Sequence, residues 1–311
     1  MFDIIGDIHG HAAPLERLLS QMGYQKRSSG WQHAQRKVIF LGDFIDRGPE
    51  QLKTLEIAHA MVENDHALAV MGNHEFNAVA WATADQNNPG QYLRAHTEKN
   101  RQQHASFLDE IGHGSSAHQH AIDWFKGLPL FLDLDDIRIV HACWHEDHLA
   151  TLTPYLDDQG VVLDSSWPDL CLDGSDSFEA VETILKGMEI QLPPGVQFTD
   201  KDGHTRKRTR THWWLSEQDL TYRDLAMVPS NIIEQIPHKP VPAHLQPGYD
   251  GLKPLFIGHY WMSGQPDLLS KHIACLDWSI AASDNPHAKL CAYRWQGESE
   301  LTAEHLVWVN R

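Results

Sequence analysis

The chain opens with apolar runs too short for helices, separated by stretches of helical spacing. Phe2–Ile5, Lys37–Leu41 and Ala67–Met71 are compact apolar blocks, the pattern of strands buried on both faces. Between them, Pro14–Met22 sets Leu15, Leu18, Leu19 and Met22 on one helical face. Leu52–Val62 does the same with Leu52, Leu55, Ile57, Ala58, Met61 and Val62. Strand–helix–strand repeats of about thirty residues predict βαβ units and a parallel sheet. Helical spacing resumes over Glu75–Ala84 and Arg101–Ile111. Leu130–Leu134 and Ile137–Ala142 flank Asp135-Asp136 as a hairpin.

Residues 150–250 are rich in Pro, Gly and charge, and predict an insertion with a helix at Phe178–Lys186. Short strands return at Leu255–Ile257, Ile273–Trp278, Leu290–Trp295 and His305–Val309. Alternating strands and helices followed by a run of strands predict an α/β fold. The expected form is a four-layer α/β–β/α sandwich of two mixed sheets with helices outside, one domain over residues 1–311.

The 311 residues carry a formal net charge of −17, with 41% hydrophobic and 22% charged positions. That composition suits a folded chain. Its charge argues against stable nucleic-acid binding and against anionic membrane surfaces. No apolar run approaches the ~18 residues of a membrane helix, and the opening MFDIIGDIHG has no signal-peptide pattern. Cys143, Cys171, Cys275 and Cys291 form no CxxC pair, so a cytoplasmic location is expected.

Five apolar runs end in residues able to bind a metal. They are followed by Asp7 and His9, by Asp43 and Asp46, by Asn73 and His74, by His141, and by His259. In open α/β sheets ligands sit outside the carboxyl ends of the strands, so these segments can converge. Carboxylate, imidazole and amide without thiolate suit two divalent ions, Mn²⁺ first with Fe or Zn as alternatives. Two ions with one bridging carboxylate leave net positive charge for a phosphate.

GDIHG, GDFIDRG and GNHE followed by two isolated histidines resemble the calcineurin-like metallophosphoesterases, in the branch of serine/threonine protein phosphatases and diadenosine-tetraphosphate hydrolases. The resemblance is dense over residues 1–76, thin at His141 and His259, and fades over 150–250. It implies that Asp7 and His9 hold one metal, Asp43 bridges, and Asn73, His141 and His259 hold the second. His74 would protonate the leaving oxygen, oriented by Asp46, and Arg47 and Asn73 would bind the phosphate. The expected reaction is direct hydrolysis of a phosphoester or phosphoanhydride by metal-bound hydroxide, with the 150–250 insertion near the site's mouth.

Two departures bear on the substrate. Met71 stands where the protein phosphatases carry an arginine before GNHE, and Ala274–Ser279 reads ACLDWS. Both favour a small nucleotide-type substrate such as diadenosine tetraphosphate over a phosphoprotein. A non-catalytic metal-binding regulatory protein is the alternative from another class. The basic stretch Lys201, Arg206, Lys207, Arg208 and Arg210, with Trp213 and Trp214, has two readings. It is a solvated hairpin whose tryptophans pack on the core, or a receptor for a polyphosphate and a stacked base. Asp202-Gly203 reads as its turn.

Overall fold

Apolar residues in the short strands alternate between two cores. Val38 and Phe40 join Leu15, Leu18, Leu55 and Ala58 of two helices. Ile39, between them, joins Ile4, Ile139, Phe256 and Tyr293. A strand presents successive side chains to opposite faces, so each continuous apolar run is buried against a helix layer and against a second sheet. The computed structural model describes residues 1–199, 205–215, 217, 219–282 and 285–311.

In the first sheet Phe2–Ile5, Lys37–Phe40 and Ala67–Ala69 run parallel. Lys289–Trp295 adds antiparallel to Phe2–Ile5 and pairs in turn with Leu306–Asn310 and Asp277–Trp278. In the second sheet Arg138–Val140, Leu255–Ile257 and Ile273–Cys275 run parallel, with Phe131–Asp133 as the antiparallel partner of Arg138–Val140. The expected four layers are present. Ala12–Gln21 and Gln51–Glu63 cover one outer face, and Asp176–Lys186 lends Ala180 and Ile184 to the cluster holding Val140, Leu255 and Ile257.

Several elements differ from their sequence pattern. Arg101–Ile111 is two helices, Glu98–Gln103 and Ala105–Ile111, broken at His104. The imidazole of His104 is bonded to Asp46 instead of facing outward. Ile273–Trp278 is also divided, with Ile273–Cys275 in the second sheet and Asp277–Trp278 in the first. The segment crosses between sheets at Leu276, which is buried in the inter-sheet core. Ser116–Lys126 and Glu146–Leu152 are helices outside the sequence reading. The first is started by the Ser115 side chain, which accepts from the His118 N–H, as N-cap serines do.

Within 150–250, Arg208–Arg210 pairs with Glu189–Gln191, and Phe198–Thr199 with Thr205–Arg206. The Asp202-Gly203 turn and Lys201 lie outside the described residues. Among the described residues no helix is long and apolar enough to cross a membrane.

Phe256, fully buried between the sheets, tests this packing. Phe256→Ala is expected to cost about 3–5 kcal/mol, read as a lower urea midpoint with unchanged slope.

Candidate active site

Each sheet's parallel strands deliver their carboxyl ends to one edge, and the loops leaving that edge carry the polar residues. The loops are bent hard. His9, Asp43, Asp46, Arg47 and His259 have φ of 46°, 50°, 70°, 69° and 70°. Side-chain-bearing residues rarely adopt such values, and the cost is about 1–3 kcal/mol each. The loops also touch. A Cβ on Gly258 would lie 2.0 Å from Asp7 Oδ1, and one on Gly72 would lie 2.2 Å from Asp43 Oδ1. Only hydrogen fits at those two positions.

Buried side chains compensate for these turns. Glu75 accepts from the backbone N–H of Asp43, Phe44 and Gly72 at 2.8, 2.9 and 3.0 Å. It is a structural hydrogen-bonder, as its place at a helix start suggests. Gln51 accepts from the Asp46 N–H and donates to the Gly48 carbonyl, at 2.8 and 2.7 Å. Asp277 accepts from the N–H groups of Trp261 and Ser279, both at 2.9 Å.

Asp43 stands at the middle. Its Oδ2 is 3.3 Å from His141 Nε2, 3.5 Å from His9 Nε2 and 4.0 Å from His74 Nε2. Two groups of donors able to hold a metal result, His9/Asp43/His74 and Asp43/His141/His259, and Asp43 belongs to both. Ring tautomers sharpen the picture. His9 Nδ1 and His141 Nδ1 lie 2.8 and 2.6 Å from the carbonyls of Ile45 and Leu41. A carbonyl only accepts, so each Nδ1 carries a proton, and each Nε2 presents a lone pair when its ring is neutral.

His141 Nε2 therefore faces two acceptors, Asp43 Oδ2 and Asn73 Oδ1, the latter at 3.2 Å. Oxygens so placed around a ring nitrogen favour a positive charge between them, which a proton or a metal ion can supply. Asp7 lies outside the two tight groups but on the same edge. Its Oδ2 accepts from the His259 N–H at 3.0 Å, while its Oδ1 and His259 Nε2 are buried without a partner. Buried polar atoms are normally satisfied, and these two orphans are oxygen and nitrogen donors of the kind divalent ions take.

The electrostatics agree with that fit. Burial raises the Asp7 carboxyl well above the usual range, and Asp277 adds to the shift. Burial holds His9 down at about 3. For His141 burial also lowers the pKa, but Asp43 outweighs it and pushes the ring up to about 10. These are carboxylates and imidazoles that share charge where burial has stripped much of their hydration.

His74 has a different setting. Its Nδ1 is 2.6 Å from Asp46 Oδ2, which leaves Nε2 toward Asp43. The other oxygen of Asp46 takes His104 Nδ1 at 2.9 Å. Burial alone would raise Asp46, but the hydrogen bonds from His104 and His74 outweigh it and hold it at about 2. An ionised Asp46 thus fixes two imidazoles. Arg47 stacks over Trp261, 4.7 Å from the ring centre.

Every residue read from the sequence as ligand, proton donor, orienter or phosphate anchor lies on this edge. His145 and His148 pack on each other, with ring centres 4.3 Å apart, and belong to neither donor group. His11 stands at the start of Ala12–Gln21 but makes no capping bond. The sequence reading missed His104, whose only sequence signal is the excess of histidine, and Arg94, which lines the cavity beside His74. Trp213 and Trp214 are buried, and Trp213 Nε1 donates to Tyr260 Oη at 2.8 Å. They are packed in the core and cannot stack a base. Arg210, from the same stretch, lines the cavity.

Known proteins share this frame. A bis(5′-nucleosyl)-tetraphosphatase PrpE (asymmetrical) of Oceanobacillus iheyensis is 30% identical over 45% of this chain and 54% of its own length. One of a Geobacillus species is 44% identical over 23% of this chain and 30% of its own. The chain thus spans about half the length of the first relative and less of the second. Among solved structures, a cold-active protein-tyrosine phosphatase of a psychrophilic Shewanella species matches with a TM-score of 0.50 at 14% identity. That match covers 94% of this chain and 74% of the other, and shows a shared fold. A model of the calcineurin-like phosphoesterases matches residues 1–263, and the chain belongs to that family.

Proposed function

We propose that this chain is a dinuclear-metal phosphoesterase that hydrolyses a phosphoester or phosphoanhydride bond of a small, nucleotide-type substrate. The observation that carries the reading is the membership of Asp43 in both donor groups, which suits a carboxylate bridging two ions. Asp7, His9 and Asp43 would hold one ion, and Asp43, Asn73, His141 and His259 the other, while His74, the more distant imidazole of the first group, would be left to carry a proton. Donors of oxygen and nitrogen without thiolate favour Mn²⁺, with Fe or Zn as alternatives. When bound, such ions supply Lewis acidity toward a phosphoryl group and the attacking water.

The chain's own groups do the rest. As the water oxygen bonds to phosphorus, the bond to the leaving oxygen breaks, and that oxygen needs a proton. His74 Nε2 would supply it, because Nδ1 is committed to Asp46. Arg47, its guanidinium spread over Trp261, would bind phosphate oxygens with its planar fork. Residues 150–250 are best read as an insertion in a single domain whose strand Arg208–Arg210 walls the mouth. The nucleotide-type substrate is supported by the relatives named as bis(5′-nucleosyl)-tetraphosphatases. Four free cysteines support a reducing, cytoplasmic compartment.

The test is phosphate release by metal-stripped protein with and without Mn²⁺, on p-nitrophenyl phosphate, diadenosine tetraphosphate and a phosphopeptide. Mn²⁺-dependent turnover is expected, with the dinucleotide preferred. Asp43→Asn should abolish it. His74→Asn should lower kcat by about 10²–10⁴-fold while Mn²⁺ binding persists. Preference for the phosphopeptide would move the chain to the phosphoprotein phosphatases. Bound Mn²⁺ without any turnover would leave a metal-binding protein with no catalysis. In calorimetry, Gly258→Ala is expected to weaken Mn²⁺ binding by about tenfold or more, because its methyl group displaces Asp7.

A further inference from the structure

A cavity of about 250 Å³ opens beside His74, with Asn73 and His259 on its floor and Arg47, Arg94 and Arg210 around it. The three guanidiniums are unusual in their surroundings. The chain has 42 acidic residues against 25 Lys and Arg. Yet among the described residues no carboxylate forms an ion pair with any of these three arginines, and Arg210 Nε is buried without a partner. Lys186 also lines the cavity, but its ammonium is paired with Glu182.

Arg94 is the most tightly prepared of the three. Its guanidinium donates to Asn77 Oδ1, Asn100 Oδ1 and Gln103 Oε1 at 2.9, 3.1 and 3.1 Å. These partners are neutral amides, so they orient the guanidinium without cancelling its charge. The loop beneath it is fixed as well. Leu93 N–H and Arg94 N–H donate to the carbonyls of Thr83 and Ala80, at 2.9 and 3.0 Å. The His96 ring lies between Trp81 and Tyr92, with ring centres 3.7 and 4.1 Å away. Partial burial costs the guanidinium some of its hydration, and its pKa is lowered accordingly. A cation held at that cost, with its charge open toward a cavity, is a preorganised anion site.

A second group points the same way. His104 is 6% exposed, lines the same cavity, and has its Nε2 buried without a partner. Its Nδ1 is occupied by Asp46, so Nε2 is the ring atom left without a partner.

We infer that Arg94, with His104 beside it, forms a second phosphate subsite next to the reacting one. It selects substrates carrying at least two linked phosphate groups over simple monoesters. The inference rests on the phosphoesterase reading and narrows its substrate class. One phosphate would lie against the candidate metal ligands and Arg47. The neighbouring phosphate, across the anhydride oxygen, would meet the charge and the remaining N–H groups of the Arg94 guanidinium. Arg94 is a binding residue here and takes no part in bond breaking.

The test is calorimetric binding of imidodiphosphate, whose P–N–P link resists hydrolysis, compared with orthophosphate. Wild-type protein should prefer imidodiphosphate. Arg94→Gln should reduce that preference by about tenfold or more, and Arg94→Lys, which keeps charge without the fork, should restore part of it. Gln103→Ala removes one exposed strut of the clamp, leaves the fold intact, and should cost about threefold in the same ratio. Thermal melts accompany each variant. Equal losses for both anions, or no change in their ratio in Arg94→Gln and Gln103→Ala, would overturn the inference. Because no turnover is needed, loss of the hydrolase reading and loss of the subsite are separate outcomes.

Discussion

A carboxylate shared between two sets of imidazoles sets the demands on the rest of the molecule. Asp43 is buried, held in a left-handed turn at φ 50°, and approached by His9 and His141 through their Nε2 nitrogens. Neither the turn nor the crowd of acceptors is favourable alone. Both persist because surrounding groups leave no alternative. Glu75 ties three backbone amides around Asp43. Gly72 leaves room for its carboxylate, and carbonyls at Ile45 and Leu41 fix the opposing rings. The architecture supplies the loops, and these contacts oblige the loops to hold donors rather than relax.

The two sheets contribute differently. The first provides Asp7, His9, Asp43 and Asn73 from three parallel strand ends, with crossover helices that anchor each turn. The second provides His141 and His259 from adjacent strand ends. Packing the sheets through Ile4, Ile39, Ile139 and Phe256 is therefore what completes the set. Stability of the inter-sheet core and completeness of the site are the same property. The crossing of Ile273–Trp278 between sheets strengthens the link. It carries Asp277 to the backbone of Trp261, beside His259.

Asp46 shows how a charge outside the donor groups organises them. Two imidazoles donate to its two oxygens. One holds the proton-donor geometry proposed for His74, and the other breaks a helix to reach it. His104 and Arg94 line the same cavity. Among the described residues the acidic chain thus gathers three guanidiniums without carboxylate ion pairs around one cavity, the feature on which the proposed phosphate subsite rests.

The strands, the helices between them and the residues at their ends were legible in the sequence, because burial on both faces writes apolar runs and sharp turns write glycine beside polar residues. GDIHG, GDFIDRG and GNHE are each contiguous in the chain, so the donors they carry are identifiable from short segments alone. Four things were not legible, because each depends on contacts that local pattern does not encode. His104 lies 58 positions from the carboxylate it meets, and helical spacing hid the break it causes. Arg94 gains meaning only from the amides that clamp it and the cavity it faces. Trp213 and Trp214 had two readings, packed on the core or open to stack a base, and tertiary packing decided for the core. Ile273–Trp278 reads as one apolar run, since nothing local tells a strand to change sheets. Periodicity and short motifs carried the frame and the donors, whereas contacts across the fold decided which charges are paired and which are left facing the cavity.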